Sequence, residues 1–372
     1  MGDLINKTAM KNNRQKKSAV QNYRFIIQSA FALLCIWIGI EFYMFVNYLD
    51  KGGAVPFHSR PPGVDGFLPI SSFMSFYLFL KTGEISLIHP AGFFIFTAIL
   101  IVSLIFGKSF CSWFCPVGFL SEMLGDLGSK IFKRSIKMPR FLDYPLRGIK
   151  YLLLAFLLYS VIFLMNDMAL KAFLDSPYNI VADIKMYYFF AKISTFSLIV
   201  LSALFFLSII FRGFWCRYLC PYGAFLGIAS LLSTNKIRRN EVSCINCELC
   251  TKACPSFINV HKANTVISDE CTSCLNCIEV CPVKDTLDLN NVIVKKRIGR
   301  KTVAFGVVLI FMATTGIGMI TGYWQNRVSK EEYLYHYLNV EEYGHPTDTK
   351  KIKEMNDNIK NNNNGSISPR QR

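Results

Sequence analysis

The chain has 372 residues, 52% of them hydrophobic, 14% aromatic and only 18% charged, with 32 Phe among them. A soluble domain rarely combines so many Phe with so little charge, and the apolar residues gather in blocks of about 20, enough helix to cross a bilayer core. Its 41 Lys and Arg against 25 Asp and Glu give +16, but the excess sits in particular loops, which fits membrane topology and sets nucleic acid aside as a partner.

The first 23 residues form a polar, basic arm with Lys7, Lys11, Arg14, Lys16 and Lys17. The apolar run that follows is too long for the core of a signal peptide, so it reads as a retained first span. Five spans are expected, at Tyr23 to Tyr48, Pro90 to Phe106, Gly148 to Met165, Ile193 to Phe211 and Thr302 to Tyr323, with Phe67 to Leu80 as a re-entrant or interfacial helix. Lys and Arg number six through Arg24, eight from Lys108 to Lys150 and thirteen from Arg212 to Lys301, against three in each intervening loop. That alternation places the N-terminus and the Cys-rich region in the cytoplasm and the tail outside. The Asn-rich end, Asn356 to Asn364, is expected to be disordered.

An internal repeat organises the membrane part. F-C-S-W-F-C-P-V-G-F-L at Phe110 to Leu120 matches W-C-R-Y-L-C-P-Y-G-A-F-L at Trp215 to Leu226. Each copy closes an even-numbered span, so the unit of two spans and a C-x3-C-P corner is used twice in parallel. An axis along the membrane normal would bring the two corners together. After each corner an amphipathic helix is expected, with Pro116 and Pro221 at the first helical position, where a missing N–H costs nothing.

Twelve of the 13 cysteines fall in regular groups, and only Cys35 stands alone. One run is Cys244-x2-Cys247-x2-Cys250-x3-Cys254-Pro255, and the next is Cys271-x2-Cys274-x2-Cys277-x3-Cys281-Pro282. Three sulfurs so spaced wrap one cubane corner, while the fourth ligates the other cluster. Cys244, Cys247, Cys250 and Cys281 are thus expected on one [4Fe–4S] centre, and Cys271, Cys274, Cys277 and Cys254 on the second. Paired zinc sites fit less well, since zinc uses two C-x2-C pairs rather than a triplet followed by C-P. Ile245, Leu249, Ile258 and Leu275 would shield the clusters, and Arg238, Arg239, Lys252 and Lys284 supply nearby positive charge that tunes them. The second signal is Cys111, Cys115, Cys216 and Cys220. A spacing of four puts each pair on one helix face. Together they offer four thiolates for a third Fe–S cluster or a metal, a redox dithiol, or plain packing.

The segment Val242 to Leu289 resembles the bacterial two-cluster ferredoxin domain. Four spans with two C-x3-C-P motifs followed by that domain, Arg24 to Leu289 in all, resemble the NapH-type membrane ferredoxins. The same module occurs in NosR-type regulators and, less closely, in CcoG-type accessory proteins. The resemblance implies electron handling at the bacterial cytoplasmic membrane, near the quinone pool. This chain adds a fifth span and an outward tail, and lacks the large flavin-carrying outer domain of the NosR type.

Glu41, in the outer part of the first span, is an intramembrane acid suited to proton or quinol chemistry or to an interfacial position. The outer loop with His58, Arg60 and Asp65 could hold a quinone head group or a partner, or form a rigid turn with satisfied surface charges. His58, His89, His261, His336 and His345 all lie outside the middle of the spans, which argues against b-haem, and a Rossmann-type flavin or nicotinamide fingerprint is missing.

The expected fold is therefore mainly α: a basic cytoplasmic arm (1–23), a four-span membrane domain carrying two parallel repeats (24–235), an inserted small α+β two-cluster ferredoxin domain (236–295), a fifth span (296–325) and an outward tail (326–372). The expected function is electron transfer between a membrane donor such as menaquinol and a respiratory partner, as a component of an oxidoreductase system rather than a stand-alone enzyme. The alternatives are an accessory factor that reduces a metal or thiol for assembly of another enzyme, or a redox-sensing regulator.

Overall fold

The structure, a computed structural model, describes residues 19–344. Most of the basic arm and the Asn-rich end lie outside the described residues. The chain is mainly helical, and it divides into two compact units, each assembled from three stretches of sequence.

Helices Ala19–Asp50, Arg140–Ile162 and Arg300–Ile320 are long and apolar enough to cross a membrane. A fourth candidate is the pair Ala182–Ala191 and Thr195–Ile210, bent by 79° at its break. The expected second span, Pro90–Phe106, is a 17-residue helix. It starts at a proline and ends at Gly107, whose φ of +69° halts it. Its bounds are the expected ones, and its 17 residues are fewer than the roughly 20 that cross a bilayer core.

The first unit comprises the described residues up to Cys35, together with Ala98–Leu154 and Ile199–Met312. Phe31 packs edge-on against Phe114 and Phe311, at ring separations of 5.2 and 5.6 Å. Arg24 pairs with Glu122 at 2.6 Å, on the amphipathic helix Pro116–Ile131. The same unit holds an antiparallel sheet in the order β1 (Asn235–Arg239), β2 (Leu287–Asn291), β3 (Arg297–Ile298), with Ile237 opposite Leu289 in register. The Cys-rich segment leaves the sheet after β1 and returns at β2, so both ligand loops hang from one hairpin-like frame.

The second unit comprises Ile36–Thr97, Ala155–Leu198 and the described residues from Ala313 onward. Phe42, Phe45, Val46 and Leu49, spaced along one face of the first helix, form its core with Ile180, Val181, Ile184 and Tyr333. The stretch read as re-entrant or interfacial is a helix, Pro69–Thr82, entered through a 3-10 turn at Pro62–Phe67 and closed by Gly83 in the left-handed region. It packs on Asp167–Leu174 through Met74, Leu78, Leu170 and Leu174. Side chains cap the short helices, with Asn166 accepting from the Ala169 N–H at 2.8 Å and Ser329 from that of Glu332 at 3.1 Å.

Candidate functional site: two cysteine loops and a cysteine corner

The two C-x2-C-x2-C loops share one backbone path. Asn246 and Glu248 in the first, and Ser273 and Leu275 in the second, have φ between 49° and 63°. Left-handed backbone at non-glycine residues is uncommon, and a residue such as Leu275 holds it only under constraint. Two left-handed residues flanking the middle cysteine bend each loop sharply at the same place. One-turn helices, Leu249–Lys252 and Asn276–Glu279, then carry the third cysteine of each loop inward.

Cys254, Cys271, Cys274 and Cys277 line a single pocket. Its apolar wall includes Ile237, Ile258, Val260, Val266 and Leu275. Cys281 lies within electrostatic reach of Cys247, Cys250 and Cys244. Cys277 lies within reach of its own loop partners and of Cys250 in the other loop. Among the described residues, no three Cys, His, Asp or Glu side chains converge on single-ion geometry. A tetrahedral zinc site requires four ligands about one centre, whereas a cubane spreads its thiolates over separate irons. The pocket and its four-sulfur lining suit a [4Fe–4S] group. Of the four expected shields, Leu275 is buried and Ile258 lines the pocket, but Ile245 is 56% exposed.

The corner cysteines also meet. Cys115 is within electrostatic reach of Cys111, Cys216 and Cys220. The pairs do not sit on one helix face, as the spacing predicts. Cys111 lies in the one-turn helix Phe110–Trp113 and Cys216 in a π-helical turn, Trp215–Leu219. Cys115 and Cys220 are extended residues (ψ 118° and 105°) that cap the next helices. Pro116 and Pro221 force this, since a proline disfavours helical backbone in the residue before it. The cap sulfurs accept the N–H of Gly118 at 3.4 Å and of Gly223 at 3.2 Å, so both copies of C-P-x-G aim a helix N-terminus at sulfur. Burial pushes the Cys111 thiol up to about 11 and the Cys216 thiol up to about 12.

The first corner is tied to the second ligand loop, and the second corner to the end of the first cysteine run, just after Cys254. Ser112 Oγ donates to the Thr272 carbonyl at 2.6 Å, Trp113 Nε1 to that of Ser273 at 3.3 Å, and Gln21 Nε2 to that of Cys274 at 3.0 Å. From the other corner, Arg217 Nη1 donates to the Ser256 carbonyl at 2.9 Å, while its Nε is held by Asp143 at 3.0 Å. Lys150, fully buried, pairs with Glu270, the residue before Cys271. Sequence reasoning missed these roles. Arg217 inside C-R-Y-L-C and Glu270 beside Cys271 were the available signals.

Glu41 and His58 are half-buried and make no hydrogen bond or ion pair among the described residues. Arg60 is placed differently from the surface turn envisaged for it. It is buried, with Nε on Asp183 Oδ2 and Nη2 on Asp65 Oδ1, both at 2.5 Å, and His89 Nδ1 at 3.0 Å. Asp65 and Asp183 are fully buried and His89 is 2% exposed. His89 and Asp183 come from other segments, so the loop motif alone could not reveal them. Burial raises the Asp65 carboxyl, but Arg60 and His89 outweigh it and hold it below the ordinary range.

Comparison with known proteins follows this geometry. The family described as "4Fe-4S binding domain" matches residues 88–135 and again 193–240, enclosing the two corners, and the "4Fe-4S dicluster domain" matches 236–282. The putative electron transport protein YccM of Escherichia coli is 44% identical over 305 residues, covering 80% of this chain and 85% of that protein. The ferredoxin-type protein NapH of Haemophilus influenzae is 29% identical, over 50% of this chain and 63% of its own. The regulatory protein NosR of Stutzerimonas stutzeri is 28% identical, over 52% of this chain and 26% of its own. The chain belongs to the NapH/NosR-like family of membrane polyferredoxins. No solved structure matches it. As a member of this family the chain is a membrane protein of ferredoxin type, built for electron transfer through 4Fe–4S chemistry.

Proposed function

We propose that this polyferredoxin passes electrons between menaquinol in the bacterial cytoplasmic membrane and a respiratory partner on the cytoplasmic side. Cys244, Cys247, Cys250 and Cys281 would hold one [4Fe–4S] cluster and Cys254, Cys271, Cys274 and Cys277 a second. Cys111, Cys115, Cys216 and Cys220 would hold a third iron–sulfur centre. When bound, these groups supply reversible one-electron storage. The chain's own part is to keep the three thiolate sets close, dry and fixed. The single observation that carries the reading is the hydrogen bonding of Ser112, Trp113 and Arg217 to the carbonyls of Thr272, Ser273 and Ser256. These bonds join the corners to segments that carry the second cysteine set, beside Cys271 and Cys274 and just after Cys254, by short, mostly rigid contacts, which is what electron transfer between neighbouring centres needs.

Glu41 is the residue we assign to take up a proton when menaquinol, giving up two electrons and two protons, is oxidised. It is half-buried and has no ion pair among the described residues, and an acid in a span is expensive unless it has such work. Arg60, with Asp65, Asp183 and His89 occupying its donors, serves to hold its loop. In this reading the arm and ferredoxin domain lie in the cytoplasm and the tail outside, as the alternation of basic loops favours.

Anaerobic EPR on membranes containing the protein, before and after a reduced menaquinone analogue, tests the reading. Cluster signals that appear with quinol support it, together with loss of one ferredoxin signal but not the other in Cys254→Ser. Signals that appear with dithionite alone refute the quinol link.

A further inference from the structure

The four-cysteine corner has a charge that the ligand assignment does not use. Lys108 lies one turn before Cys111, just past the end of Pro90–Phe106, and is 4% exposed. Among the described residues it makes no hydrogen bond and no ion pair. A cation on so buried a side chain favours an anion close by. Its ammonium lies within electrostatic reach of Cys111 and Cys216, one from each corner. Lys150 is also in reach of Cys111, and that charge is already balanced by Glu270. One positive charge is therefore left facing the sulfurs. A second observation points the same way. The Ser121 hydroxyl, on the helix that begins at Pro116, is buried and turned to the Cys216 sulfur, with no other hydrogen-bond partner among the described residues.

We propose that Lys108 is the counter-charge of the corner site, a positioning residue whose ammonium, assisted by the Ser121 hydroxyl, raises the reduction potential of the centre held there. The inference rests on the reading above that the four cysteines hold an iron–sulfur centre. The step concerned is a one-electron reduction. The centre gains one electron from a reduced membrane donor, which loses one, and no bond forms or breaks. A tetrathiolate centre is anionic before that step and more anionic after it. A nearby fixed cation and a hydroxyl donor to sulfur both favour the more negative state. Neither group touches the reacting metal, so the effect appears in the potential and not in the ligand count.

The test uses the full-length protein in detergent, with iron content per chain and an anaerobic EPR redox titration. The corner signal is defined as the one abolished in Cys115→Ser/Cys216→Ser. In Lys108→Met that signal persists but is at least tenfold harder to reduce, which is 59 mV for one electron. Lys108→Arg restores the wild-type value, and Ser121→Ala shifts it in the same direction by less. The two ferredoxin signals stay in place throughout. Should Lys108→Met lose the corner signal alone, its return in Lys108→Arg supports the counter-charge role, and its failure to return overturns it. An unshifted corner signal in both Lys108→Met and Ser121→Ala overturns the inference while leaving the three-centre reading intact. A wild-type protein with no signal that depends on Cys115 and Cys216 overturns that reading instead.

Discussion

The two glycines of the repeated C-P-x-G motif are equivalent in sequence and unequal in the structure. A Cβ added at Gly118 would sit 2.2 Å from the carbonyl oxygen of Cys111. At Gly223 the nearest atoms are Cys220 Sγ at 3.5 Å and the Cys216 carbonyl at 3.6 Å, which is ordinary contact. Gly118→Ala must therefore open the first corner from 2.2 Å to at least 3.4 Å, against backbone that cannot rotate away. Overpacking of this kind costs about 1–3 kcal/mol or more. Gly223→Ala has room, and Ala in a helix is favoured over Gly by about 0.5–1 kcal/mol. The expected contrast is about 2–4 kcal/mol. The displaced carbonyl belongs to Cys111 itself, so Gly118→Ala should also lose corner-bound iron while keeping that of the ferredoxin loops. Thermal unfolding in detergent, with iron counted per chain, reads both effects. Equal behaviour of the two alanine variants would refute the argument that close approach at Gly118 shapes the corner.

Two predictions concern the second unit. Arg60→Met strands Asp65 and Asp183 without their shared cation, and breaking a buried pair in this way costs about 3–5 kcal/mol. Adding Asp65→Asn and Asp183→Asn should recover most of the loss, and a single-variant cost below about 1 kcal/mol, the range of a surface pair, would sink the assignment. Burial holds the His336 imidazole down at about 4, against an ordinary 6.5. Its neutral form is the docked one, hydrogen-bonded to the Tyr343 hydroxyl at 2.9 Å, with Glu332 4.0 Å away to offset only part of a new charge. The contribution is full above pH 6.5 and is lost as pH falls from there through 4. Helix Lys330–Leu338 should become protease-sensitive over that window. His336→Phe should flatten the dependence, and an unchanged profile would argue against the role.

Iron–sulfur chemistry was legible because cluster ligation is local. Three cysteines within seven residues must bend round one centre whatever the rest of the chain does, and the left-handed residues at 246, 248, 273 and 275 show the bend. The repeat at Phe110 and Trp215 was legible for the same reason, and so were the helices begun by Pro116 and Pro221. Span count was less so. Hydropathy placed the helix Pro90–Phe106 at both ends, but 17 residues of helix do not by themselves say whether it crosses a bilayer.

By itself, then, the sequence determined the membrane class, the cysteine groupings and the family chemistry, all of which rest on short-range spacing. Tertiary structure alone decided which distant residues complete each group. Arg60 finds Asp183 and His89 from segments 123 and 29 residues away, Lys150 finds Glu270 across 120, and Ser112 finds Thr272 across 160. Buried charges and hydrogen-bond donors must find partners wherever the fold brings them, and pairings over such separations leave no period or motif along the chain.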